Sequence, residues 1–327
     1  MSQLELVVYR GRTGLDEAFD DWSNLFESQR SPSPPSSPYW WDAALGTEER
    51  REDDWNVFCV YKDGILIAAI PAISIQRKFF GIHARVLSVP CYGWYSDALL
   101  SDNLSPDALW RVLRTLDDSE SRWDLYHCSN VTDTSLLRRT DGCNGRLLKV
   151  PNQYRVWLPA DKIESRLRFS SKQHRNNLRR SERLLNEYGE WSIQCVHARS
   201  KDNRALDTFF DLEHSGWKGR EGTSIRARPN QENFLRRLAL GYRRGNGMNV
   251  CLLRVRDQAI GGLLLLFDGD TVRVPKVAYD EAFGRFSPVH KLIEHVARKH
   301  EELAIDMISS APWMRPWRPR ISVVSNV

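Results

Sequence analysis

Apolar residues along this chain fall into short runs separated by turn-forming residues. Around Lys62-Asp63-Gly64 the runs NVFCVYK and ILIAAIPAISIQRK face each other across an Asp-Gly pair, which predicts a β-hairpin. Between Asn249 and Asp280 three apolar runs are broken only at Arg256-Asp257-Gln258 and Asp268-Gly269-Asp270. Connections that short predict an antiparallel meander. ARVLSVPCYGWYSDALL, WDLYHCSNV, YRVWLP, WSIQCVHA and AIDMIS read as further strands or strand pieces. Helical segments are SPDALWRVLRTLDD, with Ser105 as N-cap and Pro106 at its first position, then KDNRALDTFFDLEHSGW, NQENFLRRLALGYRRG and a stretch from Ser287 to Glu302. The Pro/Ser stretch Arg30–Pro38 predicts a loop that is neither helix nor central strand, followed by a short aromatic helix in YWWDAALG.

A chain of 327 residues suits about two domains. Pro151 marks a boundary, giving 1–150 and 151–327. The halves share an order of hairpin, helix and strand without a residue-level repeat, which predicts an α+β protein of two related domains. The net charge of +5 admits an anionic ligand without requiring nucleic acid. Six cysteines, at 59, 91, 128, 143, 195 and 251, show no CxxC spacing and sit mostly in apolar runs. They read as buried free thiols in a reducing compartment. The eight histidines do not cluster with them, so no metal site is expected. MSQLELVVYRGR lacks the apolar core of a signal peptide, and the longest apolar runs, ILIAAIPAI and AIGGLLLLF, fall well short of a membrane span. The expectation is a soluble cytoplasmic protein without membrane insertion.

Candidate chemistry begins at KVAYDEAFGRFSPVHKLIEHV, where a strand ends and a helix opens. The first N–H groups of a helix lack partners and carry partial positive charge, so phosphate binds there readily. Ser287 is placed to cap, and Pro288 has no N–H to leave unpaired. Arg285, His290 and Lys291 put cations where a helix ordinarily favours acids. An anion held by Arg285, Phe286, Ser287, Val289, His290 and Lys291 would account for them; an ordinary capped helix is the alternative. In RLRFSSKQHRNNLRRSER, Arg168, Lys172, Arg175 and Arg179 recur along one helix face with almost no acid among them. Either a polyanionic partner relieves their repulsion or the face is solvated. No aromatic residues interleave with them as stacking platforms for single-stranded nucleic acid. The chain has no G-x-S-x-G, Walker or H-E-x-x-H motif, and Gly261-Gly262 predicts a bulge or close backbone contact.

The order meander, loop, helix, strand is that of the GNAT acyltransferase fold. KVAYDEAFGRFSPVHKLIEHV resembles a pattern of Lys, Tyr-Asp and aromatic-Ser-Pro-Gly before an apolar helix. SSKQHRNNLRRSERL resembles a basic Ser-Lys helix, and EHSGWKGREGTSI a Glu…Trp-Lys-Gly-Arg…Gly-Thr segment. These are motifs of the CelD-like acetyltransferases, relatives of the Fem-type (FemAB-like) peptidyltransferases, and the resemblance runs from Asn152 to Trp317. It implies two tandem GNAT-like domains with mixed, mostly antiparallel sheets flanked by helices, the first domain divergent. It implies acetyl-CoA or another acyl-CoA as co-substrate, its pyrophosphate at the helix start. It also implies an N- or O-acyl acceptor from polysaccharide biosynthesis: an amino sugar, a sugar nucleotide or an envelope polysaccharide precursor. The Fem relationship carries a second reading, an aminoacyl-tRNA donor. A third is a non-catalytic scaffold that binds an anionic glycan or a partner.

Acyl transfer needs a group to take a proton and a donor near the developing oxyanion. Glu213 is the first candidate base, with a surface acid beside Lys218 as its alternative reading. Asp280 is the second, with a turn-shaping role as its alternative. Lys276 is the candidate donor, Trp217 a pocket wall, and Lys218 and Arg220 anion contacts. On the substrate side stand Lys172, Arg175 and Arg179. Two positions depart from the family pattern. Val289 replaces a Gly and narrows a phosphate's approach to the backbone, while Arg315 and Trp317 replace a Lys-aromatic pair.

Overall fold

The structure, a computed structural model, describes residues 4–30, 32–47, 51–79, 81–89, 97–102, 104, 112, 123–128, 154–199, 204–245, 247–309, 316–317 and 320–323. Two compact units divide it, one on the chain up to Gln153 and one from Tyr154 to Ile321.

The first unit opens with β1 (Leu4–Arg10) and the eighteen-residue helix α1 (Gly11–Ser28), which the run pattern did not single out. Leu15, Ala18, Trp22, Leu25 and Phe26 bury one face of α1 at helical spacing. The Pro/Ser stretch is not wholly loop. Pro34–Ser36 makes one 3-10 turn, and Ser37 then caps α2 (Pro38–Leu45) by accepting from the Trp40 N–H. Proline at the first position suits both, since its missing N–H is not needed there. The sheet order is β1-β2-β3-β4-β6, with β5 (Leu99–Leu100) beside β3. The expected hairpin is β2 (Trp55–Lys62) and β3 (Ile65–Phe79), turned by Asp63 and Gly64 at φ 52° and 78°. β4 (Ile82–Val89) follows antiparallel, and β6 (Leu125–Cys128) pairs parallel with it. The helix expected from Ser105 lies outside the described residues.

The second unit is a seven-stranded sheet flanked by helices, in the order β13-β7-β12-β11-β10-β9-β8. Its strands are β7 (Tyr154–Leu158), β8 (Trp191–His197), β9 (Met248–Val255), β10 (Gln258–Asp268), β11 (Thr271–Tyr279), β12 (Ala304–Ser309) and β13 (Arg320–Val323). The helices are α3 (Ile163–Phe169), α4 (Lys172–Tyr188), α5 (Arg204–Ser215), α6 (Trp217–Arg220), α7 (Pro229–Gly241) and α8 (Pro288–Lys299). β9, β10 and β11 form the expected antiparallel meander. The basic segment expected as one helix is two: α3 ends at Phe169, and Ser171 caps α4 by accepting from the His174 N–H. Cys195 and Cys251, expected as free thiols, are register partners on β8 and β9 and form a disulfide. Strand pairing unites residues whose 56-position separation showed no motif. Cys59 is free and buried, and that burial pushes its thiol up to about 12.

Two features of the sheet decide where helices pack closely and where strands part. At Gly261 an added Cβ would lie 2.7 Å from the Pro288 side chain, and at Gly262 2.7 Å from the Phe209 ring. The glycine pair thus lets α8 press on one face of β10 and α5 on the other. The parallel pairing of β11 with β12 covers only Thr271↔Ala304, Val272↔Ile305 and Arg273↔Asp306. Past Arg273, β11 bulges against β10 and passes through Pro275, which has no N–H to give a neighbour. At that last shared register sits a buried ionic network. Arg273 donates to Asp306 Oδ2 at 2.6 Å and to Asp268 Oδ2 at 2.9 Å, and Arg244 pairs with Asp268 at 2.5 Å. Burial pushes the Asp268 carboxyl above its ordinary range, and the two arginines oppose that shift.

Removing one partner of such a network leaves a buried charge uncompensated. Asp306→Ala is therefore expected to lower the unfolding free energy by about 3–5 kcal/mol in urea denaturation. Gly261→Ala is expected to cost about 1–3 kcal/mol by forcing Pro288 off the sheet. Gly241→Ala, where no atom lies within 4 Å of the added Cβ, should cost nothing in the same assay.

Candidate functional site

The start of α8 is built differently from the sequence expectation. Ser287 is left-handed at φ 49°, ψ 51°, and its side chain makes no capping bond. The residues before it, Glu281–Phe286, form a 3-10 turn that Asp280 caps, with Oδ1 accepting from the Ala282 N–H at 2.9 Å. Asp280 Oδ2 accepts from Gln258 Nε2 at 3.1 Å. Both oxygens thus help to hold the turn, which is the turn-shaping alternative for Asp280.

The cations of this segment are accounted for by protein groups. Lys291 is buried, its Nζ 2.8 Å from Glu294 and 3.4 Å from Glu182. His290 Nδ1 accepts from the indole N–H of the buried Trp317 at 3.1 Å. Burial, with His174 beside it, lowers His290 to about 4, so the ring is neutral at pH 7. His174 is lowered to about 4 by its own burial. Arg285 is exposed and lies over the Phe286 and Tyr188 rings at 4.7 and 5.7 Å. Phe286 is core, and its carbonyl accepts from the Ser181 hydroxyl. Val289 also belongs to the core cluster, at 8% exposure. Of the expected anion contacts, Lys291 and His290 therefore bring no unpaired positive charge to the helix start.

A cavity of about 440 Å³ does open there. Ser287, Pro288, Val289 and His290 line it on one side, Glu213, Trp217 and Lys218 on the other, and Val277, Ala278 and Tyr279 of β11 between them. Glu213 is not a surface acid. It is 4% exposed, accepting from Lys218 Nζ at 2.6 Å and from the Ile225 N–H at 2.8 Å. Lys276 faces Leu264 across the β10–β11 ladder, on the face where Gly262 meets α5. It does not line the cavity, and it makes no hydrogen bond or ion pair among the described residues. Burial lowers its ammonium below the ordinary lysine value; Glu213 opposes the shift, and Lys218 and Arg228 add to it.

Sequence reasoning missed Glu281. Its Oε1 accepts from the Trp217 N–H at 3.0 Å, and Arg220 Nη2 reaches its two oxygens at 3.0 and 2.7 Å. Those bonds hold the Glu281 carboxyl below its usual range and tie α6 to the 3-10 turn. Arg220, expected to contact an anion, is engaged by this carboxylate. The partners lie more than sixty residues apart, so no local signal announced the link. Gly219 makes the α5–α6 corner feasible, since a Cβ there would collide with the His214 carbonyl at 1.7 Å. Trp217 and Tyr279 remain exposed on the cavity rim.

The basic stripe is shorter than its spacing suggested. Arg168 lies on α3, and Arg175 turns back to donate to the Leu167 and Ser170 carbonyls at 3.0 and 2.6 Å. Lys172 and Arg179 stay exposed on α4, away from the cavity lining. Among the described residues no three His, Cys, Asp or Glu side chains gather to hold a metal, and no helix is long and apolar enough to cross a membrane.

Comparison with known proteins places these features. No curated protein matches the sequence. Among solved structures, FemX superposes with a TM-score of 0.63 at 14% identity, over 93% of each chain. The C-terminal domain of a candidate lysylphosphatidylglycerol synthetase from Agrobacterium fabrum gives 0.58 at 13% identity, over 95% of this chain and 91% of that one. L-PGS from Bacillus licheniformis gives 0.57 at 12%, over 97% and 92%. At such identities the likeness is one of fold. Residues 172–310 match the family profile of an acetyltransferase (GNAT) domain, so the second unit carries a domain of the GNAT acetyltransferase type.

Proposed function

We propose that the protein is an acyl-CoA-dependent N- or O-acyltransferase acting at the cavity beside β11. One observation carries this reading. The α8 start and the buried Glu213–Lys218 pair meet around a single cavity, on the part of β11 that lies beyond its pairing with β12. The backbone at Ser287–His290, with Arg285 exposed next to it, would hold the CoA phosphates. Val289 does not argue against this, because its side chain packs into the core. In the reaction the acceptor nitrogen or oxygen bonds to the acyl carbon, the carbon–sulfur bond breaks, and the thiolate leaves. The proton lost by the acceptor passes to Glu213, whose oxygens each retain accepting capacity beyond their present bonds. Lys276 supports the charge that develops on the acyl oxygen through the field it adds to the Glu213–Lys218 pair. Trp217 and Tyr279 offer exposed rings on which a pyranose can stack, which supports an amino sugar, sugar nucleotide or polysaccharide precursor as acceptor. An acyl-CoA donor fits a reaction in the cytoplasm.

A second reading, an aminoacyl-tRNA donor, draws on exposed Lys172 and Arg179. A salt-sensitive gel shift with charged tRNA, absent for a transferase that uses only CoA, separates the two.

Calorimetry with acetyl-CoA is expected to give saturable binding, and no heat at millimolar ligand with the protein folded would remove the donor assignment. Lys276→Met is expected to lower kcat by about a hundredfold or more while acetyl-CoA affinity stays within a few-fold. The same variant has a stability signature. A lysine whose pKa is lowered in the fold costs stability while charged, and the cost fades as pH rises from the lowered value to the ordinary 10.5. Lys276→Met should therefore melt higher than the parent at neutral pH, with the difference shrinking towards pH 10.5.

A further inference from the structure

A second surface stands outside the acyl-transfer reading. β3 pairs with β2 only up to Ile73, and β4 pairs with β6 only from Val86 onward. Beyond those limits Ser74–Phe79 and Ile82–Arg85 pair with each other and with no other described strand. A two-stranded ribbon without a third strand or a covering helix is marginal in water. Among the described residues this one has no third strand beside it, and Arg77, Lys78, Ile82, His83 and Arg85 are exposed, Ile82 to 73%. From Ser74 to Val89 the sequence contains those three Arg and Lys residues and His83 but no Asp or Glu. None of the four basic side chains is paired among the described residues. The nearest acid in the ladder, Asp124, spends Oδ2 on the Arg85 backbone N–H at 2.7 Å.

The register sorts the ribbon into two faces. Lys78 opposes His83, and Gln76 opposes Arg85, so these share one face. Ile82, opposite Phe79 beside the turn, lies on the other, and Arg77 with Ala84 stands next along it. Cations on one face and at the flank, with an aliphatic side chain at the tip, complement an anionic bilayer surface. Lipid phosphates attract the cations, and the headgroup–acyl boundary buries the tip. A nucleic acid would use the cations but offers a β-branched aliphatic residue little to bury against. We propose that the β3–β4 ribbon docks the protein on anionic lipid bilayers.

The test is co-sedimentation of the full chain with vesicles of phosphatidylcholine alone and of equimolar phosphatidylcholine and phosphatidylglycerol. Binding is expected only to the anionic vesicles and should weaken with salt. Arg77→Glu with Lys78→Glu is expected to lower the partition coefficient on the order of a hundredfold or more. Ile82→Asp should lower it about tenfold or more. All three side chains are exposed, so the variants should keep the parent's melting temperature and acetyl-CoA heat. Those two readouts keep this test independent of the acyl-transfer reading. No binding to the anionic vesicles, or binding that survives both variants, overturns the proposal. So does an Ile82→Asp variant that binds as the parent does while uncharged tRNA competes for the same cations, since that marks a nucleic-acid surface instead.

Discussion

Where the cavity lies in the second unit depends on Arg273. Its guanidinium joins Asp268, at the end of β10, to Asp306 on β12, with all three groups withdrawn from water. Apolar strands alone tolerate slippage, because one buried leucine is much like the next. A slip here would strand a buried charge, at a cost of about 3–5 kcal/mol. The network therefore fixes the register of three strands at one end. Pro275 and the adjoining bulge then take β11 out of pairing with β12, and the cavity opens along the departing segment.

From that edge the site is assembled by close approach from both faces of the sheet. Gly261 admits Pro288 and the first turn of α8; Gly262 admits Phe209 and with it α5, which carries Glu213. Either side chain, if larger, would push one wall of the cavity outward. The Glu281 carboxylate then joins α6 to the turn that precedes α8, so the two walls are linked by charge as well as by packing. Lys276 introduces tension into this arrangement. It is a cation held in a site that disfavours its charge, next to Lys218, which is already paired with Glu213. Such an arrangement is costly to the fold and useful to chemistry that needs a readily shifted proton.

The helix start that first suggests a phosphate site shows how incomplete a local argument can be. His290 and Lys291 look misplaced in a first helical turn only while their partners are unknown. Trp317 and Glu182 lie far from them in sequence; Trp317 occupies His290, and Glu182 joins Glu294, three residues on, in pairing Lys291. What keeps the segment a candidate is its position on the cavity, not its cations.

Short-range order was legible in the sequence. Turn residues at Asp63-Gly64 and Gly269-Asp270 and the apolar runs determine the hairpin, the meander and most helices, because hydrogen bonding and backbone sterics act between near neighbours. Gly261-Gly262 was correctly read as a place of close approach. Glu213, Trp217 and Lys218 were identified one by one, and the structure brings them to a common cavity. Tertiary structure alone decided that Arg220 is engaged by the Glu281 carboxylate and that Cys195 meets Cys251. Those outcomes depend on groups that are distant in sequence and adjacent in space. A side chain's charge and hydrogen-bonding capacity are set by its type, but whether they remain available to a ligand is settled only by what packs against it.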